Sequence, residues 1–204
     1  MIKEFLPYDT IRNDALKLAH KIYDEDGFVP DIIYCSLRGG AYMANVISEY
    51  YKIARKNERP VLYAAVVARS YSDVKRATSR VFVDGWTYPP ENLRPGDKIM
   101  LVDDIFDTGN TINALVDILL DYGVSRENIK VVVHDYKECT YKEQLSVVPD
   151  YWSRKITVSN PDEDCWIHYM SHEMVGLKKE EFIENYCKQD AELENIIKPY
   201  LGEE

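Results

Sequence analysis

Positive charge is in short supply. Lysine and arginine number 25 against 35 aspartates and glutamates, a formal net charge of −10, and this argues against broad binding to nucleic acid or to an anionic membrane. No apolar run approaches the roughly 18 residues that a membrane span needs, and no basic, apolar, small-residue leader opens the chain. Cysteine is sparse and scattered. Cys35, Cys139, Cys165 and Cys187 form no C-x-x-C pair, so free thiols in a reducing compartment are expected. Repeats and low-complexity tracts are missing as well. These features predict a cytoplasmic protein of one domain with a small appended lobe, because 204 residues at 46% hydrophobic content can bury a sizeable core.

The most informative stretch is Leu101-Val102-Asp103-Asp104-Ile105-Phe106-Asp107-Thr108-Gly109-Asn110-Thr111. Ile99 to Val102 read as a buried parallel strand, preceded by the turn residues Pro95-Gly96-Asp97. Ile112, Leu115, Val116 and Leu119 fall on one helical face, and Gly123 suits the stop. Between strand and helix, backbone N–H groups lack intrahelical partners and the helix dipole favours an anion. Thr108, Thr111 and the small Gly109 allow a phosphate to sit on those groups. The carboxylates upstream suit sugar hydroxyls, a hard cation such as Mg2+, or proton transfer. The bland alternative is an ordinary strand–turn–helix with solvated acids.

The rest of the chain repeats the strand–turn–helix logic. A first helix over Tyr8 to Glu25 precedes the strand Ile32-Ile33-Tyr34-Cys35 and the turn Ser36-Leu37-Arg38-Gly39-Gly40. A helix with the face Met43, Val46, Ile47 and Tyr50 follows. Arg38 and the N–H groups of that turn can hold a second anion. Val61 to Ala68 reads as the next core strand. The polar, locally basic segment from Arg69 to Arg80 is either a solvated hairpin or a lid over phosphates, with Val81 to Gly85 returning. After the central motif comes the strand Ile129 to Val133, with His134 to Lys137 at its end. Strands alternating with helices predict an α/β, Rossmann-like fold: a mostly parallel central sheet with helices on both faces, and ligands at the carboxyl ends of the strands. From Val148 the pattern shifts to short aromatic-rich strands, then to a helical tail over Lys178 to Tyr200 that serves core packing or a subunit contact. The expected division is a core over 1–147, with its phosphate loop at 101–111 and lid at 69–85, and a hood lobe with tail over 148–204. His168 and His172 have a helical metal-ligand spacing, but no third ligand accompanies them.

The stretch 101–111 closely resembles the signature of the type I phosphoribosyltransferases, which bind 5-phosphoribosyl-1-pyrophosphate (PRPP). The resemblance covers roughly residues 8 to 173. It implies that Asp103 and Asp104 hold the ribose hydroxyls, directly or through Mg2+, and that Thr108, Gly109, Asn110 and Thr111 cradle the 5-phosphate. It places the pyrophosphate loop at Leu37, Arg38 and Gly39, with an unusual cis peptide at Leu37–Arg38. Asp107, at the third acidic position, resembles the 6-oxopurine branch, where a carboxylate takes the N7 proton while N9 attacks. Ser70-Tyr71 resembles the pair that opens that branch's catalytic loop. Lys137 matches a lysine that contacts the 6-oxo group, and Trp166-Ile167 a pair that lines the base; a plain core aromatic is the alternative for Trp166. Where relatives often carry Pro-Trp-Asp or Pro-Trp-Glu, this chain reads Met170-Ser171-His172-Glu173, which leaves the preferred purine open. The implied partners are PRPP, a 6-oxopurine base, pyrophosphate and a purine nucleoside monophosphate, with no nucleic acid or membrane, in a homodimer or homotetramer. The implied activity is purine salvage: transfer of phosphoribose to hypoxanthine, guanine or xanthine. Two alternatives stand beside it: a nucleotide-responsive regulatory protein on the same fold, and a phosphoribosyltransferase for another base.

Overall fold

Short apolar runs alternating with amphipathic helices can bury both faces of a sheet only by crossing over it, and the chain does so. The computed structural model describes residues 2–71, 80–142, 145–188 and 190–200, apart from the side chains of residues 69–71, 80 and 198. The strands among the described residues are β1 (Lys3–Leu6), β2 (Ile32–Leu37), β3 (Leu62–Tyr71), β4 (Arg80–Trp86), β5 (Ile99–Phe106), β6 (Ile129–Cys139), β7 (Tyr151–Val158) and β8 (Trp166–Tyr169). The α-helices are α1 (Tyr8–His20), α2 (Ala41–Ala54), α3 (Asn110–Asp121), α4 (Lys179–Tyr186) and α5 (Glu192–Ile197). The chain forms two compact units, Asp9–Asp164 and Met1–Tyr8 with Cys165–Glu204.

The larger unit is built on a six-stranded sheet in the order β4-β3-β2-β5-β6-β7. Neighbours are parallel except for β4, which runs antiparallel to β3. The expected α/β class is therefore present. Ile99 to Val102 of β5 are fully buried, as a central strand covered on both faces requires. Side chains alternate between faces. Ile99 and Leu101 join Ile112, Leu115, Val116 and Leu119 of α3 in one core with residues of β2, β3 and β6, while α2 packs across β2 and β5. The buried stripe of α2 is Met43, Ala44, Ile47, Ser48 and Tyr51, shifted round the helix from the expected Met43, Val46, Ile47 and Tyr50. Small Ala44 and Ser48 suit close packing, and the Tyr51 hydroxyl donates to the Phe28 carbonyl at 2.9 Å.

Three expectations are corrected. The boundary placed at 147/148 falls inside the larger unit, because β7 pairs in parallel with β6 and completes the main sheet. Asp150 fixes that pairing: its N–H donates to the Val131 carbonyl at 2.9 Å and its carboxylate accepts from the Val131 N–H at 2.8 Å. The smaller unit contains a strand that the sequence reading did not anticipate, β1, in parallel register with β8 from Lys3↔Trp166 to Leu6↔Tyr169. The tail is not one helix but α4, α5 and a 3-10 turn over Lys198–Tyr200. Elsewhere, β3 and β4 form the expected hairpin, with Ser70 opposite Val81 and Tyr71 opposite Arg80. Residues 72–79 and the Ser70 and Tyr71 side chains, on which the expected lid falls, lie outside the described residues. No helix among the described residues is long and apolar enough to cross a membrane.

A buried charge cluster joins the last two strands of the sheet. Asp135 is fully buried, takes an ion pair from Arg154 Nε, and lies 2.8 Å from His134 Nδ1. His134 Nε2 in turn lies 3.3 Å from the Asp14 carboxylate of α1. Truncating Arg154 removes a cationic partner of the fully buried Asp135. Arg154→Met is expected to destabilise the fold by about 3–5 kcal/mol, read from urea unfolding; a loss below about 1 kcal/mol, the range of a surface pair, would contradict this role.

Candidate active site

The site forms where three parallel strands end together. Leu37 closes β2, Phe106 closes β5 and Cys139 closes β6, so the loops that follow share one edge of the sheet. Helix α3 starts directly after the turn that follows β5. Its N-terminal flank is Gly109, at φ 72°, a left-handed conformation that side chains rarely adopt. A Cβ at Gly109 would also overlap the Phe106 ring and approach Leu145 Cδ1 at 2.8 Å. The turn thus admits only glycine, and the first N–H groups of α3 point into the space beyond it.

Asn113 locks this turn in place. Its side-chain amide donates to the Gly109 carbonyl at 3.0 Å and to the Val147 carbonyl at 2.9 Å, and its Oδ1 accepts from the Val147 N–H at 3.0 Å. Sequence reasoning missed this residue. The available signal was an asparagine four residues after the glycine, in the first turn of a helix whose neighbouring positions are apolar.

The loop after β2 meets the same strand. The Leu37–Arg38 peptide is cis, at the position the family resemblance indicated, and the Arg38 side chain is exposed. A Cβ on Gly40 would collide with the Val102 carbonyl and lie 2.9 Å from Asp103 Cα, while one on Gly39 would overlap the Asp104 carboxylate. Two glycines therefore bring the basic loop against the acidic end of β5. Asp103 is buried and accepts from the Asp104 N–H at 3.0 Å; Asp104 accepts from the Ile105 N–H at 2.8 Å. Burial, and after it the adjacent Asp104 charge, push the Asp103 carboxyl well above the usual carboxylate range, against hydrogen bonds from Ser36 and the Asp104 backbone. Burial likewise pushes the Cys35 thiol up to about 11.

These carboxylates fit a hard cation by their chemistry. Two adjacent acids destabilise one another, and Asp104 faces the loop after β2. Among the described residues no group of three or more His, Cys, Asp or Glu forms a cage. His168 and His172 form no such group either: His168 Nε2 pairs with the Tyr186 hydroxyl at 2.9 Å and His172 Nδ1 with Ser171 at 3.0 Å.

A cavity of about 410 Å³ opens beside the turn at Gly109, lined by Asp107, Thr108, Asn110, Lys137, Thr140 and Lys142 among others. Asp107 is exposed to it, whereas Lys137 is 5% exposed, with its Nζ 2.6 Å from Asp164 Oδ1 and 4.0 Å from Asp107 Oδ1. Structure thus brings Asp107, Thr108, Asn110 and Lys137 to one cavity, with Gly109 in the turn behind them. Trp166 and Ile167 belong to the smaller unit. There Trp166 is 48% exposed while Ile167 is buried, so Trp166 is not a plain core aromatic.

The phosphoribosyl transferase domain family matches residues 4–160. The Bifunctional protein PyrR of Halalkalibacterium halodurans is 26% identical over 167 residues, 80% of this chain and 88% of that protein. A xanthine phosphoribosyltransferase of Streptococcus gordonii is 28% identical over 127 residues, 61% of this chain and 63% of its own. Among solved structures, a purine phosphoribosyltransferase from Pyrococcus horikoshii Ot3 shares the fold with a TM-score of 0.62 at 20% identity, over 87% of this chain and 99% of that one.

The Asp103 shift has a consequence for stability. A carboxyl whose folded value is raised holds its proton more tightly in the fold than in the unfolded chain. Its contribution is present below the ordinary carboxylate pKa and is lost as pH rises through the folded value. At neutral pH the acid pair therefore weakens the fold. Asp103→Asn is expected to raise Tm at pH 7, by roughly 2–4 °C for each kcal/mol relieved, with a smaller gain near pH 4. A lower Tm at pH 7 would contradict the argument.

Proposed function

Because the chain belongs to the type I phosphoribosyltransferase family, we propose that it transfers 5-phosphoribose from PRPP to N9 of a 6-oxopurine. The products are pyrophosphate and a purine nucleoside 5′-monophosphate. The observation that carries the reading is one cavity lined by Thr108 and Asn110, the exposed Asp107 carboxylate and the buried Lys137, with Lys137 Nζ 4.0 Å from Asp107.

Each residue has a role that follows from its type. Thr108, Gly109, Asn110 and Thr111 bind the 5-phosphate at the start of α3. Asp103 and Asp104 hold the ribose hydroxyls, and with them Mg2+, which when bound neutralises charge on the pyrophosphate. Leu37, Arg38 and Gly39 form the loop for the departing pyrophosphate, where Arg38 offers a planar set of donors. Asp107 accepts the N7 proton as N9 attacks the ribose carbon. Lys137 donates to the 6-oxo oxygen; it has no acceptor, so it cannot satisfy a 6-amino group. Trp166 has an exposed ring in the smaller unit, and it is the family resemblance that assigns Trp166 and Ile167 to the base. Ser70 and Tyr71 open the lid that keeps water from the cation-like ribose.

A second reading has support of its own. The Bifunctional protein PyrR matches most of the chain, and its name declares more than one activity. That favours a phosphoribosyltransferase for another base, or a regulatory protein that responds to nucleotides.

Two variants test the assignments. Asp107→Asn should lower kcat with a 6-oxopurine roughly 100-fold or more while PRPP affinity stays within about two-fold; equal loss of PRPP binding would move Asp107 to the sugar. Lys137→Ala should weaken purine binding at least about ten-fold with PRPP binding little changed. Unchanged purine affinity would remove Lys137 from the base.

A further inference from the structure

Lys137 stands between two carboxylates at unequal distance, and only one of them is needed for proton transfer. Its Nζ lies 2.6 Å from Asp164 and 4.0 Å from Asp107. The shorter contact is a charge-assisted hydrogen bond; the longer exceeds hydrogen-bond range. We propose that Asp164 is a positioning residue that holds the Lys137 ammonium off Asp107, so that the Asp107 oxygens stay open to the purine N7–H. The proposal rests on the reading of Asp107 as base and Lys137 as donor to the 6-oxo group.

The local sequence delivers Asp164 rigidly. After β7 the chain makes a single 3-10 turn, Pro161–Glu163, with proline at its first position. Asn160 caps that turn, its side chain accepting from the Asp162 N–H at 3.0 Å and the Glu163 N–H at 3.2 Å. Asp164 follows at once, its own N–H bonded to the Pro161 carbonyl at 3.3 Å. Lys137 comes from near the C-terminal end of β6, where it pairs in register with Ile156 of β7.

The chemistry explains why this pairing matters. A lysine buried to 5% exposure is driven towards its neutral form unless an anion is near. Asp164 is the nearer anion to the Lys137 Nζ, at 2.6 Å. Were the ammonium to close on Asp107 instead, it would stabilise the carboxylate and weaken it as a proton acceptor. Asp164 thus separates two functions that a direct Lys137–Asp107 ion pair would merge. The other ionisable groups lining the cavity are Tyr136, Glu138, Cys139 and Lys142. They are unchanged in the variants below.

The test uses the full chain and two independent readouts. The first is competitive acetylation of Lys137 with acetic anhydride, followed by mass spectrometry, in the wild type, Asp107→Asn, Asp164→Asn and the double variant. Asp107→Asn should alter Lys137 reactivity less than about two-fold in the wild-type background and roughly five-fold or more in the Asp164→Asn background. Equal effects in the two backgrounds would overturn the proposal. The second readout is turnover with a 6-oxopurine. Asp164→Asn should lower kcat roughly ten-fold with the PRPP KM unchanged and should move the acidic limb of kcat/KM to lower pH. Asp164→Glu should recover most of the loss. An active enzyme indifferent to Asp164→Asn in kcat and pH profile would refute the positioning role, whereas a wild type inactive with every 6-oxopurine would refute the underlying reading; the labelling result decides the ion pair in either case.

Discussion

The constraint on which the site depends is the side-chain-free approach of Gly39 and Gly40 to the end of β5. A single methyl group at Gly40 would strike the Val102 carbonyl, and one at Gly39 would strike the Asp104 carboxylate. Parallel pairing of β2 with β5 brings the two strand ends level, but the glycines set how closely the loop after β2 can lie against the acids. Without that closeness, the Arg38 loop and the Asp103–Asp104 pair would be separate surface features. With it the loop lies directly against the acids. The turn at Gly109 that follows β5 is clamped by Asn113 to the backbone of Val147.

This arrangement costs the fold some stability. Asp103 sits buried beside a like charge, and both effects resist its ionisation. A chain selected for stability alone has no use for two adjacent acids at the end of its central strand. The same holds for Lys137, buried among groups that line a cavity. By contrast, the Asp135, His134, Arg154 and Asp14 cluster is charge kept for architecture: it ties β6, β7 and α1 together away from the turn residues. Two kinds of buried charge thus lie along β6, one pairing elements of the fold and the other oriented to the cavity.

Much of this was legible in the sequence because the signals were local. Ile99 to Val102 announced a central strand, Ile112 to Leu119 a helix face, and the residues between them a glycine turn preceded by acids. What escaped depended on distant partners. Strand β1 is four residues long and gains its meaning only by pairing with β8 at the other end of the sequence. Strand β7 is partly exposed along its length, so its aromatic, mixed pattern read as a separate lobe rather than as the sheet's last strand. Asn113 and Asp164 are ordinary polar residues in sequence. Their roles arise from Val147 and Lys137, which folding brings to them. The family resemblance indicated the cis peptide at Leu37–Arg38, which composition and periodicity could not.

The central claim is that Asp107 and Lys137 direct the chemistry to a 6-oxopurine. The most direct measurement is steady-state turnover of the full chain with PRPP and Mg2+ and, in parallel, guanine, hypoxanthine, xanthine, adenine and orotate, following pyrophosphate release. The account predicts release with at least one of the first three and none above background with adenine or orotate. Turnover confined to adenine or orotate, or PRPP binding with no turnover of any 6-oxopurine, would contradict it.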